Sequence, residues 1–418
     1  MGWEPVGVLL PIPGAPDGTM KIFVKGLNSC GMRRTNVQRY IDYLSANGHE
    51  IVAHPNQSDI TLLWTCAFRG DFRDNSLAEI RRYLNEFDTE LIVAGCLPDI
   101  DRQRLLEEFP GRVLDWRDEE AKMERFFGAN GKRFNEIPLV LGEAPLCDDV
   151  DAFKKENPGK DASFVDQFIK LFVAEGCRFT CTYCAEILAF PPYRSFPEEV
   201  LIETCRELVE RTGRYRVMLL GDSIGDYGCD TGSILPALIR RLQEVDARLR
   251  FGLQGFNPAH FVKHGDDMAA FLRSGTFCHL QLPIQSASER ILAAMNRPYC
   301  RADIDRVFAL LQEMAFTAID THLIIGFPGE TDEDFEESLA FVLQYRPHYV
   351  LVSQYMETPA MPSSHLPDKV SAETKKRRLE RAAECIKGAG ILCNTDDSEL
   401  SLRRCQTLNR IEKSLTAV

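Results

Sequence analysis

Three cysteines, Cys177, Cys181 and Cys184, fall within one short segment, Gly176-Cys177-Arg178-Phe179-Thr180-Cys181-Thr182-Tyr183-Cys184. Thiolates are the usual ligands of iron–sulfur clusters, and three on one loop can wrap a face of a [4Fe–4S] cube. Three ligands for four irons leave one iron open. That iron can take the amino and carboxylate groups of S-adenosylmethionine (SAM), and a reduced cluster can pass the electron that breaks a carbon–sulfur bond of SAM. Zinc is the competing use of such thiols, but a zinc site wants a fourth Cys or His and none lies nearby in the sequence. The aromatic Tyr183 beside the last cysteine fits a cofactor site.

Cys30, Cys66 and Cys96 are far apart in sequence, yet each comes a few residues after a predicted strand. In a parallel sheet such strand ends share one edge, so the thiols can converge into a second three-ligand set; unconnected core thiols are the alternative. Around the first set, Gly221 and Asp222 begin a loop that Gly228 closes, where a small residue either admits SAM or makes a tight turn. Gln285 and Ser286 end a predicted strand, which favours ligand contact over packing. Arg297 either neutralises the SAM carboxylate or caps surface structure. Gly326-Phe327-Pro328-Gly329-Glu330 reads as a turn supporting the site. The remaining eight cysteines show no ligand spacing.

The elements that must position these residues follow an α/β pattern. From Lys21 to about Asp115, apolar runs such as Ile22-Phe23-Val24, Ile60-Thr61-Leu62-Leu63-Trp64 and Leu91-Ile92-Val93-Ala94 alternate with helical faces. This predicts a doubly wound parallel-sheet domain over 20–115, after an irregular proline-rich arm over 1–19. Residues 116–165, charged and broken by glycine and proline, read as a connector. Over 166–390, six strand candidates (Leu171–Ala174, Val217–Leu220, Leu249–Leu253, His279–Leu282, Ala318–Ile325 and Tyr349–Val352) alternate with helices. Six units are too few to close an eight-stranded barrel and predict a partial (β/α)6 barrel with its chemistry at the C-terminal strand ends. Residues 391–418 read as a tail, and the basic stretch around Arg377 as a solvated outer helix.

The chain has 418 residues, a net charge of −13 and 14 cysteines. The acidic balance argues against a surface dominated by phosphate contacts. No apolar run approaches the roughly 20 residues needed to cross a bilayer, so a cytoplasmic protein with no membrane partner is expected. Its thiols then read as reduced or metal-bound.

Taken in order, these motifs resemble the methylthiotransferase family of radical SAM enzymes. The matching segments are Ser29-Cys30-Gly31-Met32, Trp64-Thr65-Cys66-Ala67, Val93-Ala94-Gly95-Cys96-Leu97, the three-cysteine loop, Leu219-Leu220-Gly221-Asp222, Leu282-Pro283-Ile284-Gln285-Ser286, Met295-Asn296-Arg297 and the glycine–proline turn. The resemblance implies SAM and two [4Fe–4S] clusters, one on each cysteine triplet. It implies a SAM-derived radical that removes hydrogen from an unactivated carbon, sulfur delivered from the second cluster, a methyl group from a second SAM, and an electron donor such as flavodoxin or ferredoxin. The chain departs from the family in a shorter loop after the cluster motif, in His322 where an acid is common, and in residues after Gly390 that do not read as the family's C-terminal TRAM barrel. With the acidic charge, these departures favour a peptide, protein or small metabolite over tRNA as substrate. Two other readings stay open: a cobalamin-dependent radical SAM methyltransferase, suggested by Asp320-Thr321-His322, and a non-catalytic iron–sulfur sensor.

Overall fold

The computed structural model describes residues 18–27, 33–128, 130–141 and 168–396. It divides into two compact units, one running through Leu139 and the other starting at Val140.

In the first unit, β1 (Lys21–Gly26), β2 (Glu50–Ile51), β3 (Ile60–Thr65), β4 (Glu90–Gly95) and β5 (Arg112–Val113) form a parallel sheet in the order β2-β1-β3-β4-β5. The central strand β3 is buried along its whole length, as a sheet covered on both faces demands. Its alternating side chains divide between two cores. Leu62 and Trp64 join Ile22, Ile92, Tyr40 and Tyr43 on one face, while Leu63 joins Val93, Leu77 and Ile80 on the other. The strand order reverses between β1 and β3, and in such sheets ligands bind outside the carboxyl ends of the strands at that switch point.

The expected connector begins too early. The helix Glu119–Phe127 has a charged first turn, but Met123, Phe126 and Phe127 lie one helical turn apart and are buried in the first core. Phe134 follows them there, with its carbonyl accepting from Arg39 Nη2 at 3.0 Å and its ring under that guanidinium.

The second unit holds a nine-stranded sheet. Seven strands run parallel in the order β7 (Phe168–Glu175), β9 (Arg216–Gly221), β10 (Arg250–Leu253), β11 (Phe277–Gln281), β12 (Ile319–Ile325), β13 (Tyr349–Gln354) and β14 (Leu392–Asp396). Two short strands, β6 (Val140–Leu141) and β8 (Arg194–Ser195), pair antiparallel with β7. Helices cover one face, burying Leu171, Leu219, Phe251, Leu280, Leu323 and Val352 in one continuous core. The other face carries the alternate residues, among them Lys170, His279, Gln281, Asp320 and His322. The six expected strands are present, and β14 adds a seventh inside the segment read as a tail. It pairs with β13 from Leu392 to Asp396 and buries Cys393 and Asn394. Among the described residues no helix is long and apolar enough to cross a membrane.

Candidate functional site

Strand β7 ends at Glu175, and the next residue turns the chain sharply. Gly176 has φ of +80°, and a Cβ there would stand 2.5 Å from the Pro191 carbonyl oxygen, so only glycine fits. Its N–H donates to Asp222 Oδ2 at 2.8 Å, tying the β7 end to the β9 end. The loop carrying Cys177, Cys181 and Cys184 starts from this junction.

The loop is then stitched from two sides. Thr182 donates from its N–H to the Met295 carbonyl at 3.1 Å and from its hydroxyl to Ala294 O at 2.9 Å. Asn296, held at φ of +54°, donates from Nδ2 to the Thr180 carbonyl and hydroxyl. The Ser363 N–H donates to Thr182 O at 3.0 Å. Met295 and Asn296 therefore clamp the cysteine loop, a role their spacing alone does not reveal.

Burial pushes the Cys177 thiol up to about 11 and the Cys184 thiol well above its ordinary range; Glu186 adds to the latter, and each senses Cys181 as a neighbour. Without a metal these two groups stay protonated near neutral pH, so an ion must displace the protons. A zinc site gathers its ligands on one centre. A [4Fe–4S] cube spreads its ligands over separate irons, and three thiols on one loop suit that donor set.

The other expected contacts divide. Tyr183 packs beside Met295, Phe327 and Tyr355, and its hydroxyl accepts from Arg297 Nη1 at 3.1 Å. Arg297 is not a surface cap: the same Nη1 lies 3.2 Å from Cys181 Sγ, Nε donates to Tyr299 Oη at 2.9 Å and Nη2 to Pro283 O at 3.2 Å. Gly221 lies so close to β7 that a Cβ would meet Ala174 O at 2.7 Å, so its small size serves strand packing. Gln285 sits at φ of +67°, with its backbone bonded to His322 O and the Ile324 N–H. That left-handed residue breaks the strand alternation and turns Ser286 into the core. Ser286 is 1% exposed, with its hydroxyl engaged by Ser338 and by the Ser288 N–H. Its expected cofactor contact is corrected to packing against the helix Asp332–Tyr345.

The glycine–proline turn is held by the basic helix Ala372–Gly388. The Gly326 N–H donates to Glu330 Oε2 at 2.6 Å, and Arg378 Nη1 donates to the same carboxylate at 2.7 Å. Both side chains of this pair are buried, at 5% and 1% exposure, which corrects the view of that stretch as wholly solvated. Burial pushes the Glu330 carboxyl up to about 7 against the opposing pull of Gly326 and Arg378.

The open face carries a polar layer in which Asp320 and His322 meet His279 and Gln281 of the neighbouring strand. His279 Nε2 lies 2.8 Å from Asp320 Oδ2. Gln281 takes a hydrogen bond from the Gly255 N–H on Oε1 at 3.0 Å, which turns its amide nitrogen toward His322 Nε2 at 3.4 Å. Burial lowers His322 to about 4, with Asp320 opposing, so its ring is neutral at pH 7. Asp320 and His322, two residues apart on the less buried side of β12, were the available signal for this layer. Asp320 and His322 thus face β11 partners, while Thr321 between them donates to Leu282 O at 2.7 Å.

In the first unit, Cys66 and Cys96 directly follow Thr65 and Gly95, which are partners across β3 and β4. The Cys96 N–H donates to Thr65 O at 2.9 Å, and Gly95, at φ of +92°, leaves no room for a Cβ beside that carbonyl. Ser76 brackets Cys66, accepting from its N–H and donating to its carbonyl. From β1, the chain runs alongside β3 as far as Leu27, whose N–H donates to Trp64 O at 2.7 Å. Cys30 follows in sequence and lies outside the described residues.

An open sheet of parallel strands with a three-thiol loop after the first of them defines a radical SAM domain. Residues 171–342 match the model of the Radical SAM superfamily, and residues 21–114 match that of Uncharacterized protein family UPF0004. The threonylcarbamoyladenosine tRNA methylthiotransferase of Xenopus laevis is 30% identical over 90% of this chain and 66% of its own length. The ribosomal protein uS12 methylthiotransferase RimO of Geotalea uraniireducens is 29% identical over 84% of this chain and 78% of its own. Among solved structures, the radical SAM methyltransferase TsrM from Kitasatospora setae aligns with a TM-score of 0.59 at 14% identity, covering 82% of this chain and 77% of that one. This last likeness concerns the fold. The chain belongs to the methylthiotransferase family of radical SAM enzymes. It spans about two thirds of the length of the Xenopus relative. Members of the family work with SAM and two [4Fe–4S] clusters.

Proposed function

We propose that this chain inserts sulfur, as a methylthio group, into an unactivated C–H bond. The observation that carries the proposal is the placement of the cysteines. One set follows β7 of the radical SAM unit, and Cys66 and Cys96 follow paired ends of β3 and β4, with Cys30 after β1 in sequence. Cys177, Cys181 and Cys184 would hold the SAM-cleaving cluster, and Cys30, Cys66 and Cys96 the second one. When bound, the first cluster supplies the electron that opens SAM to a carbon radical.

The protein's own part is placement, since so reactive a species must meet one C–H bond and little else. Asp222 and Gly176 fix where the cysteine loop begins, and Asn296 and Thr182 fix its middle. An external donor such as flavodoxin or ferredoxin would supply the electron. A reducing compartment such as the cytoplasm is where cluster-binding thiols persist.

For the substrate, the relatives weigh against the preference drawn from acidic charge. Their names specify tRNA or a ribosomal protein, and the match to the tRNA enzyme of Xenopus laevis covers 90% of this chain. A tRNA nucleoside is therefore placed first, and a ribosomal-protein side chain second on the strength of the uS12 relative. The test is to incubate reconstituted enzyme with reductant, labelled SAM, and separated tRNA and protein fractions. A methylthio mass in digested tRNA is expected. A gain only in protein reverses the substrate order, and no gain in either, despite 5′-deoxyadenosine formation, defeats the proposed reaction.

A further inference from the structure

The Arg297 guanidinium is spent inward: Nη1 on Cys181 Sγ at 3.2 Å and on Tyr183 Oη at 3.1 Å, Nε on Tyr299 Oη, and Nη2 on a carbonyl. Tyr299 is itself locked, donating to Ile284 O at 2.7 Å, so the arginine head has one orientation. Cys181 is 7% exposed. A half-buried guanidinium drawn inward favours an anion beside it, because a desolvated charge without a partner is costly. Neither phenol is an anion of choice: both stay hydroxyls that accept from the arginine, and the Tyr299 hydroxyl donates onward to Ile284 O. Of the four groups it touches, the sulfur is the one that metal coordination turns into an anion.

We propose that Arg297 sets the reduction potential of the SAM-cleaving cluster by donating a charge-assisted N–H···S hydrogen bond to the Cys181 ligand. The inference rests on the assignment of Cys181 as a cluster ligand. Uptake of one electron from the external donor adds negative charge to the cluster and its thiolates. A cation and an N–H donor at one sulfur stabilise the reduced form more than the oxidised form. Hydrogen bonds to sulfur and local charge are established levers on cluster potential. Arg297 is therefore a positioning residue that acts through Cys181 and eases the first electron transfer. A surface cap or a residue reserved for the SAM carboxylate would not need its Nη1 at the sulfur.

The test uses the full-length protein, anaerobically reconstituted with iron and sulfide and titrated against mediators while electron paramagnetic resonance follows the signal that shifts when SAM is added. Arg297→Gln is expected to lower the reduced fraction of that cluster at a fixed potential about tenfold, equivalent to about 59 mV for one electron. Arg297→Lys, which keeps the charge and loses the fork, should fall by less. A glutamine variant with full iron content, an intact SAM-responsive signal and a reduced fraction within about twofold of wild type overturns the proposal. Wild-type protein labelled with 15N in the arginine guanidinium provides a readout that needs no substitution. A nitrogen hyperfine coupling on the SAM-responsive signal supports the contact, and its absence refutes it even if the glutamine variant does not fold. A Cys181→Ala protein that retains the SAM-responsive signal overturns the ligand assignment, and the inference with it.

Discussion

Acidification should destabilise this protein through His322 in a way that a single substitution removes. The ring sits on the open face of β12 beside Gln281, and its folded pKa is lowered to about 4 from an ordinary 6.5. A depressed histidine pKa means that the folded state binds fewer protons than the unfolded chain between those values. Stability is therefore whole above pH 6.5 and declines as pH falls toward 4. A difference of about 2.5 pKa steps corresponds to roughly 3.4 kcal/mol when fully expressed, and about 1.4 kcal/mol of it is lost by pH 5.5. His322→Asn keeps an amide able to meet Gln281 and removes the titration. Urea denaturation of both proteins, under matched anaerobic cluster loading, should show the wild type losing about 1.4 kcal/mol more than the variant between pH 7.5 and 5.5. Parallel stability curves over that range would show that His322 is not held neutral by its surroundings.

Other substitutions follow from the same geometry. Cys181→Ser should remove the SAM-responsive paramagnetic signal and with it 5′-deoxyadenosine formation, both measured after anaerobic reduction. Cys96→Ala should leave 5′-deoxyadenosine formation intact while the methylthio product disappears from the mass spectrum; retention of product would defeat the assignment of the second cluster. Gly176→Ala forces a side chain into a left-handed turn at about 1 to 2 kcal/mol and against the Pro191 carbonyl, so cluster iron should fall well below wild type in reconstitution assays. Arg378→Met strips the buried Glu330 of its partner and should cost about 3 to 5 kcal/mol in urea denaturation. Adding Glu330→Gln should recover part of that loss.

Strands were legible where burial on both faces wrote continuous apolar runs, as in Ile60–Thr65 and Val217–Leu220. Strand β14 escaped because Leu392-Cys393-Asn394-Thr395-Asp396 offers one small apolar residue, Cys393, on the helix side. The helix Glu119–Phe127 was hidden by its acidic first turn, although the spacing of Met123, Phe126 and Phe127 carried its buried face. At the site, Cys177, Cys181 and Cys184 announced themselves by proximity in sequence. Ser286 misled because the backbone inversion at Gln285, invisible in residue type, reverses which side faces inward. Arg378 was grouped with Arg377 and Arg381, yet a 100° step around the helix separates a buried ion pair from solvated charges.

The bonds from Ser363 to Thr182 and from Asn296 to Thr180 also set an order of events during synthesis. The cysteine loop takes its closed shape only when chain made more than a hundred residues later returns to it. At roughly 5 to 20 residues per second, the ribosome needs about 10 to 35 s to pass from Thr182 to Ser363. For that interval the three thiols hang from an unfinished barrel, open to oxidants and to delivery proteins alike. Cluster insertion then belongs to a late stage of biogenesis, and an oxidative burst is most damaging to newly made chains rather than to mature ones.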